Sequence, residues 1–416
     1  MSDISKKQGG AGALVFLAWL LYALSYLGKV NYSANITQIV DFYGITKAEA
    51  GLVPTFFFFA YGIGQVINGI FCKRYNVKWS VFTGVMLSAV INLIIAITDN
   101  FAIIKWLWMI NGFALSMLWP SLIRLLSENL PKKELGKSTV VMGTTVATGT
   151  VIIYILSSIY ALSGSFKLAF LSPAITGVVV SLIWLVSYDK ATAKSRMLKD
   201  AEEDTQEIKT HRIEHNEKET QNEKKAFLIL LSILCLCAVA TNLVKDGLTT
   251  WVPSILKEEY DFSDSLSILL TISLLIVAIF GGMLSVKLYN KFSDYVGNAL
   301  VLFAVVIAVT IVIITGISAK SILLMLPGLI VASLFASALN NLVTALFPLL
   351  MRSRGNSGMF AGILNGFCYL GSALSSYGLG YIADIAGWLG VFWTLLGFMT
   401  VVCIVCAIYL ITKKRA

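Results

Sequence analysis

Charge is scarce in this sequence. Asp, Glu, Lys and Arg make up 13% of its 416 residues, about half the share found in a soluble domain. That is too little to cover a water-facing globule of this length, which excludes an ordinary soluble fold. Histidine is scarcer still: His211 and His215 are the only two, and both fall in a polar stretch. Their spacing would suit a metal on a helix, but no cysteine stands near them and the stretch reads as a solvated linker. With no histidine in an apolar run, no phosphate-binding loop and no setting for a catalytic cysteine, neither an enzyme nor a cofactor is expected. The six cysteines, Cys72, Cys235, Cys237, Cys368, Cys403 and Cys406, mostly lie inside hydrophobic runs. There they read as small packing residues and imply no disulfide framework, zinc site or redox pair.

What the sequence does have is long apolar runs. Hydrophobic residues make up 57% of the chain and the mean hydropathy is +0.81, so the chain is read as an integral membrane protein. The first run continues past the length of a signal-peptide core and shows no small-residue cleavage site. Runs long enough to cross a bilayer fall near 12–36, 47–71, 77–98, 101–129, 138–163, 168–187, 226–255, 263–289, 296–317, 320–350, 356–382 and 387–412. Helices are required, because lipid cannot satisfy backbone polar groups and the runs are too long for barrel strands. The fold class is therefore an all-α membrane protein of twelve helices in two six-helix halves, 1–188 and 226–416. A mixed-charge stretch without aromatics, 189–225, is expected to link them in the cytoplasm, partly helical or disordered.

Lys6, Lys7, Lys73, Arg74, Lys78, Lys132, Lys133, Lys137, Arg352, Arg354 and the "KKR" near the C-terminus occupy alternate loops. The intervening loops, such as "TDN" and "LSGS", carry almost no basic residue. By the positive-inside rule both termini face the cytoplasm, and a multi-pass protein of the plasma membrane is expected. The net charge of +9 then reads as topology and contact with anionic lipid, not as a nucleic-acid surface. A monomer is expected.

The two halves echo each other. Gly136, Ser138 and Gly143 open the fifth span, and Gly355, Ser357 and Gly362 recur at the same spacing 219 residues later. Lys29 in "YALSYLGKVNYSANI" and Lys245 in "ATNLVKDGLTTWVP" are 216 residues apart, each well inside the first span of its half. A lysine at membrane depth costs roughly 2.5–3.5 kcal/mol even on lenient insertion scales, so the alternative of two snorkelling side chains is the weaker reading. In halves related by an axis along the membrane normal, equivalent positions face one cavity, and two ammonium groups there suit an organic anion. Tyr22, Tyr26 and Lys29 follow i, i+4, i+7 spacing and share a face. Asn31, Gln65, Asn242, Tyr369 and Asn340 are further candidates to line the site. Asp246 directly follows Lys245. Helix neighbours point about 100° apart and need not pair, which leaves Asp246 as the acidic candidate for coupling to a proton. Arg124 and Arg74 read as gating or topology residues.

Four segments carry a family resemblance: "SYLGKVNYS", "NGFALSMLWPSLIR", "VKDGLTTWVP" and "GFCYLGSALSSYGLGYIADIAGWLGVF". They resemble the organophosphate:inorganic phosphate antiporters of the major facilitator superfamily, the glycerol-3-phosphate and hexose-phosphate transporters. The resemblance spans the whole chain. It implies alternating-access transport of a phosphate ester against phosphate, with Lys29 and Lys245 at the places of the family's two substrate-binding arginines. The charge is kept and the bidentate fork is lost. Gln65 falls at a family lysine, Val146 at a family histidine, and "GIFCKR" replaces the superfamily's Gly-x3-Asp-Arg loop. Two lysines would also hold a carboxylate, so proton- or sodium-coupled symport of a sugar acid is the rival expectation. A transporter-like ligand sensor is the third.

Overall fold

In a computed structural model of the protein, residues 2–71, 74–130, 132–203, 221–292, 294–347 and 357–415 are described. Cys72, Lys73, Arg352, Arg354, Gly355 and both histidines lie outside these residues. Among the described residues the structure is helical throughout, with no strand. Eleven helices are long and apolar enough to cross a membrane. They are α1 (Ala11–Ala34), α2 (Lys47–Phe71), α3 (Val77–Ile97), α4 (Phe101–Asn129), α5 (Val141–Leu162), α6 (Leu168–Met197), α7 (Lys225–Tyr260), α8 (Asp264–Lys291), α9 (Tyr295–Ser318), α10 (Ile322–Leu346) and a last stretch, Gly362–Lys413. That stretch is two helices, α11 (362–386) and α12 (388–413), because Gly387 adopts φ 66° and ψ −178°. A side chain at that φ would be strained, and glycine is not.

In the first half α2 packs on α4, α3 on α6, and α1 on α5 and α6; in the second, α7 packs on α11 and α10, and α9 on α10. The halves meet where α2 faces α11 and α5 faces α8. Apolar side chains left outside, such as Phe59, Leu162, Val186 and Leu323, are exposed, as lipid-facing positions must be in a protein whose solvent there is hydrocarbon.

The linker begins later than composition suggested. The helix that contains α6 continues to Glu203, and the one that contains α7 starts at Gln221. The extension packs: Ser195 Oγ donates to the Asn129 carbonyl at 2.7 Å and Arg196 Nε to Asn129 Oδ1 at 2.6 Å. The polar, charged composition of 189–197 belongs to the solvated sides of a helix with one buried stripe. Residues 204–220 lie outside the described residues.

Candidate anion-binding site between the halves

The chain of α1 is interrupted at Tyr26, where the helix breaks and restarts at Leu27. Just past the break Lys29 turns its ammonium into a box of rings: Nζ lies 3.9 Å from the ring centre of Tyr61, 4.7 Å from Tyr26, 5.6 Å from Tyr369 and 5.9 Å from Phe57. It also donates to Tyr26 Oη at 3.4 Å. Ring faces are negative and attract a cation, by about 0.5–2 kcal/mol according to desolvation. The box holds the ammonium in place without cancelling its charge. Tyr22 braces it from behind, with its ring 5.5 Å from Tyr26 and 5.0 Å from Trp119.

Tyr61 and Tyr369 come from α2 and α11, and their rings are 4.8 Å apart in an edge-to-face contact. The box therefore straddles the two halves. Tyr61 and Phe57 were not expected from the sequence. They sit in "PTFFFFAYGIG", where aromatics give only a hydrophobic signal.

Lys245 is placed differently. Its Nζ lies 3.1 Å from Asp246 Oδ1, with the two side chains 32% and 18% exposed. The neighbours thus do pair, contrary to the simple 100° argument, because a long lysine stem can bend back to the next residue. Asp246 Oδ2 accepts from Ser372 Oγ and from Asn242 Nδ2 at 3.3 Å. Asn242 donates to Ser372 Oγ at 3.1 Å, and its Oδ1 accepts from Asn340 Nδ2 at 2.7 Å. The result is a polar chain from α10 through α7 to α11. Lys29 and Asp246 are within electrostatic reach of each other, as are Lys245 and Tyr26.

Other candidates fall elsewhere. Asn31 is fully buried inside the first half, where its Nδ2 donates to Asn92 Oδ1 at 2.8 Å and to the Ala169 carbonyl at 3.0 Å. It braces α1 against α3 and α6 and stands apart from the lysine box. Gln65 is half-buried on α2, one turn beyond Tyr61 toward the basic loops. Arg124 Nε pairs with Glu128 at 2.7 Å and its guanidinium donates to the Tyr75 carbonyl at 3.2 Å. Arg74 lies over Phe71, 5.1 Å from the ring centre. Both arginines stand at the basic end, away from the box.

Residues 18–376 match the family model described as Major Facilitator Superfamily. The chain is 27% identical over 252 residues to the glycerol-3-phosphate transporter of Bacillus subtilis, a match covering 58% of this chain and 56% of that one. The matched region thus spans just over half of that relative's length. It is 22% identical over 394 residues to the probable hexose phosphate transport protein of Chlamydia muridarum, covering 90% of this chain and 85% of that one. It is 23% identical over 169 residues to the membrane sensor protein UhpC of Escherichia coli, covering 41% and 38%. Among solved structures, the bacterial homolog of the human lysosomal transporter Spinster, in an inward-facing and occupied conformation, aligns with a TM-score of 0.73 at 15% identity over 96% of each chain. The xylose transporter XylE of E. coli aligns with a TM-score of 0.71 at 11% identity over 95% and 97%.

Proposed function

Since the chain belongs to the major facilitator superfamily, a family of membrane transporters and not of enzymes, we propose that it is a secondary transporter of small organic anions. The favoured cargo is a phosphate ester, a sugar phosphate or glycerol phosphate, exchanged for inorganic phosphate by alternating access. The observation that carries this reading is the ring-lined Lys29 ammonium at membrane depth, within reach of the Lys245–Asp246 pair across the boundary between the halves. In this reading Lys29 and Lys245 bind the anionic head, Tyr22, Tyr26 and Tyr369 orient the remainder, and Asn242, Asn340 and Gln65 line the polar wall. The protein works in the plasma membrane as a monomer with both termini in the cytoplasm. The names of two relatives, a glycerol-3-phosphate transporter and a probable hexose phosphate transport protein, support the phosphate ester over other anions.

The test is uptake of labelled glycerol 3-phosphate or glucose 6-phosphate into proteoliposomes loaded with phosphate and lacking a proton gradient. Uptake that depends on internal phosphate is the expected result. Uptake that ignores internal phosphate and needs a proton gradient would favour sugar-acid symport, a reading that the half-buried Asp246 carboxylate keeps in play. Ligand binding without any counterflow would favour a sensor, as in the relative named for that role.

A further inference from the structure

The two lysines are not electrically equivalent, although the repeat makes them look so. The Lys29 ammonium is surrounded by rings, which leave its charge in place. The Lys245 ammonium is neutralised by the carboxylate directly beside it. That carboxylate is fixed in turn by Ser372 and Asn242, so it cannot swing away without breaking a hydrogen-bonded chain that reaches Asn340. Further titratable groups within electrostatic reach of the pair are Tyr26 on α1, Tyr154 on α5, and Cys368 and Tyr369 on α11. Phenols and thiols titrate from a neutral form and add no positive charge at any pH.

Counted over Lys29, Lys245 and Asp246, the empty site carries one net positive charge. From this geometry we infer that Asp246 is the charge selector of the site, admitting an anion with one negative charge and admitting a dianion only together with one proton from solvent. The proton sits on the ligand, as in the singly charged form of a phosphate ester, and site and cargo then sum to zero. Without the proton, a dianion would leave one uncompensated negative charge at membrane depth, where such a charge is costly. The inference rests on reading the place where these groups meet as an anion site. It applies to a carboxylate as well as to a phosphate ester.

The first test needs no variant. Glycerol 3-phosphate is titrated into purified wild-type protein at pH 8 by calorimetry in two buffers of different ionisation heat, which counts protons. Uptake of about one proton per ligand is expected, because a phosphate ester with a second pKa near 6 is almost wholly dianionic at that pH. Uptake near zero overturns the proposal. For the same reason wild-type affinity should rise roughly 50-fold from pH 8 to pH 6, as the singly charged ester grows from about 1% to about half. Asp246→Asn should flatten that profile.

A second pair of probes separates this proposal from the phosphate reading. Gluconate carries one negative charge and glucarate two at both pH values. Wild-type protein should prefer gluconate, and Asp246→Asn should shift the preference toward glucarate by at least about tenfold. Binding of the sugar acids in this order with no binding of any phosphate ester sinks the phosphate reading and upholds the selector. Binding of phosphate esters without proton uptake, with the sugar-acid order unchanged by Asp246→Asn, sinks the selector alone.

Discussion

At the scale of single residues, what decides the role of a polar group in this membrane protein is where its partners are. Asn31 and Lys29 are two positions apart, yet one is locked among Asn92 and the Ala169 carbonyl and the other among rings of both halves. Asn31→Ala removes a donor from buried acceptors, a loss worth about 1–3 kcal/mol when the acceptor stays unpaired. The variant should melt at lower temperature in detergent, with ligand affinity in the surviving folded fraction close to wild type; a loss of affinity with unchanged melting would return Asn31 to the site. Tyr61→Leu should do the opposite. It deletes the closest ring of the box, 3.9 Å from the ammonium, and a cation–π contact of about 0.5–2 kcal/mol corresponds to about 2- to 30-fold in affinity, measured by calorimetry with melting little changed. The sequence made the lysines legible, because a charge in an apolar run cannot be mistaken. It hid Phe57 and Tyr61, because an aromatic that grips a cation looks the same in sequence as one that faces lipid. It could not tell what Asn31 pairs with, because a buried structural amide and a ligand-facing amide give the same signal until the neighbouring helices are known.

At the scale of elements, hydropathy runs made nearly every helix visible, and the two-half division followed from the polar stretch between the sixth and seventh runs. What hydropathy could not locate was where helices stop in water. The part of α6 beyond residue 188 was read as linker, although Ser195 and Arg196 anchor it to Asn129. Polar caps set such ends, and one can be tested. Asp294 precedes α9 and its Oδ1 accepts from the Gly297 N–H at 2.7 Å, while Oδ2 meets Lys413 Nζ at 2.7 Å near the end of α12. Partial burial alone would raise this carboxyl, but the Lys413 ammonium and the backbone N–H groups outweigh it and hold it below the usual range. A carboxyl held low in the folded state contributes stability at any pH above its unfolded value, near 3.9, and loses it as pH falls through the folded value. Asp294→Ala removes cap and charge together and should cost about 0.5–2 kcal/mol. Asp294→Asn keeps a capping side chain and loses only the pairing with Lys413. The gap in melting temperature between wild type and Asp294→Asn should therefore stay constant from pH 8 to pH 5 and close only on further acidification. A gap that closes near neutrality would show that another group is responsible.

At the scale of the whole molecule, the halves are fastened at the end away from the basic loops. Asp384 at the foot of α11 accepts from the backbone N–H groups of Lys47 and Ala48, at 3.1 and 2.7 Å, where the positive end of α2 favours a carboxylate. Lys47 Nζ reaches Glu258 at 3.1 Å, and Lys257 joins Asp41 of the first half while also meeting Asp264 at 2.8 Å. Below these pairs α2 and α11 come so close that a Cβ on Gly51 would lie 2.1 Å from the Ser376 carbonyl oxygen. The proposed alternating access requires that this seal open, so its strength must be modest. Exposed ion pairs contribute about 0.2–1 kcal/mol each, and two of them shift a two-state balance by about 2- to 30-fold if they add. Replacing Lys47 and Lys257 by Gln should raise the share of molecules open at this end by that factor. Gly51→Ala should raise it further, since backbone cannot yield to a methyl group as a flexible side chain can. The readout is the distance distribution between spin labels on Ser163Cys and Ser318Cys, exposed positions of opposite halves at the same end. Wild type should show mainly the short distance, and the variants a growing long one. Affinity for a ligand bound in the form sealed at this end should fall in proportion to the lost population. If Gly51→Ala leaves both the distances and the affinity unchanged, the seal is not where the resting balance is set, and the lysine box at the contact of Tyr61 and Tyr369 becomes the place to look for it.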